Sequence, residues 1–172
     1  MDEFERRSEV FRAQATASLR AKLDALLDLE RLRDPRVVLF LLEVLDDQRE
    51  PAEVRVHVLK RLRNGEPDGD YRPAIADAIL RVLAERAIPD LRLEAAFALA
   101  HFTDVDGVVS ELGRRALDPG EPIDLRYSAF TSLQQAGPTP ESVALIQQLS
   151  DDEALGRSAG TVLSMWERQR TT

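Results

Sequence analysis

Four stretches of this chain superpose without gaps when each is anchored on an arginine. They are residues 18–27, 53–62, 90–99 and 124–133, with anchors Arg20, Arg55, Arg92 and Arg126 spaced by 35, 37 and 34 residues. A fifth stretch, 154–163, keeps the apolar pattern with Gly156 in the arginine's place, 30 residues further on. One residue before the anchor stand Leu19, Val54, Leu91, Leu125 and Leu155. Three after it stand Leu23, Val58, Ala95, Ala129 and Ala159, and seven after it Leu27, Leu62, Leu99, Leu133 and Leu163. Steps of four residues place all three positions on one stripe of a helix, whereas a strand requires alternation.

A second set of helices is expected between these. Residues 35–45 open with Pro35 after Asp34 as N-cap, and residues 140–149 open with Pro140 after Thr139. Residues 74–87 and 105–117 carry apolar side chains at helical spacing. Residues 64–69, 118–122 and 136–138 are turn-forming clusters. The expectation is one domain over 1–172, with helical pairs near 2–33, 34–64, 70–103, 104–137 and 138–168. A single pair cannot bury its apolar stripe, so pairs stack, and about three or more are needed. Both ends look atypical: residues 2–17 are highly charged, and the last helix carries Gly156, Gly160 and the one tryptophan, Trp166. Trp166 reads either as an interface anchor or as a cap on the terminal core.

This paired pattern resembles HEAT repeats, whose second helix opens with Asp/Glu-x-Arg-x-x-Ala-x-x-x-Leu. Asp90, Arg92, Ala95 and Leu99 match it best, then Asp124, Arg126, Ala129 and Leu133; Glu53, Arg55 and Leu62 match with Val58 for alanine. The resemblance covers roughly residues 18–166. It implies an all-α fold, a right-handed α-solenoid of about four to five antiparallel helical hairpins. It also implies a ladder between repeats, with Arg55, Arg92 and Arg126 as its cations and Asp47, Asp90 and Asp118 as its acids. Fold of this kind says little about activity.

Composition narrows the function classes. The chain has 172 residues, no cysteine, 23 basic and 31 acidic side chains and a net charge of −8. Thiolate metal sites, disulfides and cysteine nucleophiles are excluded. The acidic excess is greater toward the end, with 11 acidic against 6 basic residues over 104–172 and 20 against 17 before. Such a surface repels nucleic acid and anionic lipid. The longest apolar run, residues 37–42, is far short of a membrane span. The opening residues lack the basic head and apolar stretch of a signal peptide, so a cytoplasmic location is expected.

Catalytic and metal chemistry finds little support. His57 and His101 are the two histidines, and their places on two different repeats put them too far apart to share a metal. Asp46 and Asp47, Asp104 and Asp106, and Asp151 and Asp152 lie at helix boundaries, where carboxylates cap amide groups. The stretch 104–107 resembles the start of a calcium loop, but the twelve-residue ligand pattern is absent. Neither a phosphate-binding glycine loop nor a nucleophile motif is present. No catalytic residue, metal or cofactor is expected.

In the HEAT family the arginine-bearing helices line a concave face. Offsets +2, +5 and +9 from the anchors then point into the groove: His57, Lys60 and Asn64; Glu94, Phe97 and His101; Ser128, Thr131 and Gln135; and, on the last helix, Met165. The leading reading is a non-catalytic scaffold or adaptor that binds a protein partner through this face. The alternatives are a protein similar to HEAT-like bilin lyases, acting on a chromophore-bearing protein, and, last, a helical-repeat nucleic-acid binder.

Overall fold

The computed structural model describes residues 1–13, 18–64 and 69–172. Among them all regular structure is helical: α1 (Glu3–Ala13), α2 (Leu19–Glu30), α3 (Arg36–Asp46), α4 (Ala52–Asn64), α5 (Arg72–Ala84), α6 (Pro89–Leu99), α7 (Val108–Leu117), α8 (Ile123–Leu133), α9 (Pro140–Leu149) and α10 (Gly156–Arg170). None of these helices is long and apolar enough to cross a membrane. The expected turn over 64–69 lies mostly outside the described residues.

The chain forms two compact units, Met1–Tyr71 and Arg72–Thr172. In the first unit α1 packs on α2, α3 on α4, α1 on α3 and α2 on α4. In the second, α5 pairs with α6, α7 with α8 and α9 with α10, while α7 touches both α5 and α9, and α6 lies against α8. Odd-numbered helices thus neighbour odd, and even neighbour even, so that stripes too narrow to fold alone are covered from the side as well as within each pair. The cores are mainly aliphatic, with Leu26, Leu29, Leu45 and Leu59 buried beside Phe11 and Phe40 in the first unit, and Ile75, Ile79, Leu83, Leu91 and Leu99 beside Phe102 and Phe130 in the second.

Local signals set most helix ends. Ser18 accepts from the Ala21 amide, and Thr139 and Ser142 form a reciprocal capping box at the start of α9. Asp34 accepts from the Arg36 amide at 2.9 Å, with Pro35 one step earlier than expected, at the cap position itself. The helix expected to run to Ala87 stops at Ala84, because Pro89 holds Ile88 extended (φ −129°, ψ 96°). The helix expected from Val105 starts at Val108, because Gly107 takes a left-handed conformation (φ 86°).

The first stripe sits in a different register from the one expected. Arg20, Leu19 and Leu27 are exposed, and Leu23 is half-buried, while Lys22, Ala25, Leu26 and Leu29 are buried. The buried cation of α2 is therefore Lys22, and Ala25 and Leu29 fall three and seven residues after it, as in the other repeats. At the other end Leu155, Ala159, Val162 and Trp166 are buried, so Trp166 packs into the core of the second unit.

Gly156 departs from the arginine pattern for a steric reason. A Cβ there would stand 2.5 Å from the backbone oxygen of Ser150, which closes the turn between α9 and α10. The substitution Gly156→Ala is expected to destabilise the second unit by about 1–3 kcal/mol despite alanine's better helix propensity. Denaturation followed by Trp166 fluorescence checks this, since Trp166 is the one tryptophan and lies on α10.

Candidate functional site

Arg55, Arg92 and Arg126 are buried at the starts of α4, α6 and α8. Each Nε donates to a carbonyl in the last turn of the preceding helix: Leu45 at 2.8 Å, Leu83 at 2.8 Å and Ala116 at 2.9 Å. Those carbonyls lack partners within their own helices, so each arginine completes the end of its hairpin mate. The terminal nitrogens of Arg92 then reach forward to Glu121, at 2.7 and 2.9 Å, in the turn before α8. Arg126 likewise reaches Asp152, in the turn before α10. In the first unit Lys22 pairs with Glu50, 2.6 Å away, in the turn before α4.

The acids of these links are thus Glu50, Glu121 and Asp152. The structure puts Asp47, Asp90 and Asp118 to other uses. Asp47 accepts from the Arg49 amide and guanidinium at 2.9 Å each. Asp118 accepts from the Gly120 amide at 2.8 Å, and Asp90 is exposed in the first turn of α6. Glu50 and Glu121 both stand five residues before an anchor arginine, a sequence signal that the search for aspartates passed over.

Glu121 is the centre of a larger cluster. Its side chain is 2% exposed, and besides Arg92 it accepts from Arg115 at 3.0 Å. Hydrogen bonds from Arg92 hold its carboxyl down at about 2, with Arg115 adding to the effect against the opposing pull of burial. At Glu111, burial pushes the carboxyl up, but Arg114 and Arg115 outweigh it and leave it below the usual range. Asp152 is lowered by the Leu155 amide and by Arg126.

Because the folded Glu121 carboxyl lies below its ordinary 4.5, its stabilising effect is complete above that pH and is lost as pH falls toward about 2. At ~1.4 kcal/mol per pKa unit the contribution is roughly 3 kcal/mol. Urea denaturation of the second unit between pH 5 and about 2 is expected to show this loss, and Glu121→Gln to remove it.

The residues expected to line a binding groove divide between the two units. In the first unit His57 is half-buried against Glu30, with Nε2 2.8 Å from Oε1, and Lys60 is exposed. Asn64 ends α4, and its side chain lies outside the described part. In the second unit Phe97, His101, Thr131, Gln135 and Met165 are exposed, and Glu94 is half-buried. Ser128 is buried beside α6 and is not available to a partner. Offset +2 turns toward the neighbouring helix of the same layer, whereas +5 turns outward.

Other chemistry is sparse. Among the described residues no group of three or more His, Asp or Glu is arranged to hold a metal. A cavity of about 450 Å³ between α1 and α2 is lined partly by Arg6, Arg7 and Arg31. Those guanidiniums are paired with Glu3, which Arg6 and Arg7 share, and with Asp28. No protein-family model matches the sequence, and no curated protein matches it.

Proposed function

We propose that this chain is a non-catalytic interaction module of the HEAT type, a scaffold or adaptor that binds a protein partner. In this reading the hairpins form a right-handed solenoid of about four to five repeats, and the arginine-bearing helices present the binding face. The observation that carries it is the forward pairing of Arg92 with Glu121 and of Arg126 with Asp152. Each such pair joins one hairpin to the next, as expected of stacked repeats. Partner recognition then falls to side chains left exposed on α4, α6, α8 and α10, and the module works in the cytoplasm.

A photo-crosslinking residue placed at Phe97 tests the reading, with a second at exposed Asp77 on α5 as control. The expected result in native lysate is one discrete protein adduct at position 97 and none at 77. Equal labelling at both positions, or no adduct at 97 while a small molecule raises the melting temperature, counts against it.

A further inference from the structure

We propose that the outer face of α6 and α8 takes a segment of a partner protein that carries both basic and apolar side chains. This names the chemistry of the partner and rests on the interaction reading above. Phe97, Ile123 and Tyr127 are 44%, 50% and 42% exposed, large apolar side chains on two adjacent helices. Phe97 lies five residues after Arg92, while Ile123 and Tyr127 lie three before and one after Arg126. At ~100° per residue the three fall within about 80° of one another, opposite the buried stripe. The helices are held side by side, with Ser132 Oγ donating to the Ala96 carbonyl at 2.7 Å. Phe97 stands in the last turn of α6 and Ile123 and Tyr127 in the first turns of α8, so exposed apolar side chains are spread over the outward side of both helices. Tyr127 is further steadied by its hydroxyl on the Ala154 carbonyl, 3.3 Å away.

Charge selects the occupant. The second unit holds fifteen acidic and ten basic residues. The internal cluster takes up Arg92, Arg115 and Arg126 against Glu111, Glu121 and Asp152. Twelve acids and seven cations remain outside it, so the unit's whole acidic excess lies outside the cluster. Exposed Asp90 and Asp124 stand in the first turns of α6 and α8, and exposed Asp151 and Glu153 precede α10. A field of this sign draws in cationic segments and repels nucleic acid, anionic membrane and a second copy of the same face. Aromatic anchors ringed by charge are the usual makings of a hot spot.

The probe is a short fluorescein-labelled peptide of alternating arginine and leucine, with its glutamate–leucine counterpart as control, titrated into the full chain by anisotropy. The cationic peptide is expected to bind, more weakly as salt rises. Phe97→Ser and Tyr127→Ser are each expected to weaken it about tenfold with unchanged circular dichroism. The double variant D90N/D124N is expected to weaken it too, whereas D77N/E141Q, the same charge change on α5 and α9, is not. Equal loss in both double variants, equal binding of the glutamate peptide, or no binding overturns the proposal. Self-association by sedimentation that F97S abolishes would make the occupant a second copy, and also overturns it. If the peptide fails while position 97 still crosslinks to one protein, the partner chemistry is wrong and the interaction reading stands; if both fail, both fall.

Discussion

Replacing Glu121 by glutamine is expected to cost the second unit about 3–5 kcal/mol, the penalty of leaving a buried cation uncompensated. Arg92 and Arg115 both donate to this one carboxylate, and their side chains are only 7% and 10% exposed. Glutamine matches the shape but brings no charge, and its amide turns one acceptor into a donor facing guanidinium hydrogens. The exposed Arg86 near Glu121 also loses its partner, with little consequence in solvent. Urea denaturation followed by Trp166 fluorescence measures the effect. Arg115 keeps Glu111 as a partner, 2.8 Å away, so the cation left stranded is Arg92, whose Nε also serves the Leu83 carbonyl. A loss below about 1 kcal/mol for Glu121→Gln would mean that the cluster is open to water and screened.

Phe11→Ala is expected to destabilise the first unit by about 3–5 kcal/mol, the range for truncating a buried phenylalanine. Phe11 anchors α1: it is 2% exposed and meets Phe40 edge to face with ring centres 5.5 Å apart. Its ring also lies under the ammonium of Lys22, 4.9 Å from the centroid, on the side away from water. Alanine therefore removes apolar contact, an aromatic pair and a cation–π contact together. Phe11→Leu keeps most of the volume and is expected to lose less than half as much. Hydrogen exchange of the α1–α4 amides measures both variants. Equal effects of alanine and leucine would locate the energy in the ring's electrostatics instead of its bulk.

The helical content and most element positions were legible because period and punctuation agreed. Thr139 with Pro140 opens α9 as read, and the stripes of α4, α6 and α8 are buried at all three offsets. The α2 register was not legible, since Leu19, Leu23, Leu26, Leu27 and Leu29 satisfy two helical stripes and the nearest arginine favoured the wrong one. What decides between them is Glu50, a distant acid that Lys22 reaches and Arg20 does not. Ladder acids were missed for a related reason: aspartates at helix ends are common, and Asp47 and Asp118 serve their own turns. Ser128 is the one groove residue that neighbouring-helix packing removes. Gly156 is legible only in coordinates, because the atom that forbids a side chain there belongs to Ser150.

The double use of the Arg92 and Arg126 guanidiniums explains why the cations at these positions are not interchangeable. A guanidinium presents donors on different edges at once, so Arg92 serves the Leu83 oxygen through one and a distant carboxylate through two others. An ammonium is a single point of charge, and in α2 it is Lys22 that pairs with the Glu50 carboxylate. Arg92→Lys would keep the formal charge yet strand the Leu83 oxygen without a donor, at about 1–3 kcal/mol. At such sites the directions in which hydrogens point matter alongside the charge, so a lysine can keep the ion pair and still leave a helix end uncovered.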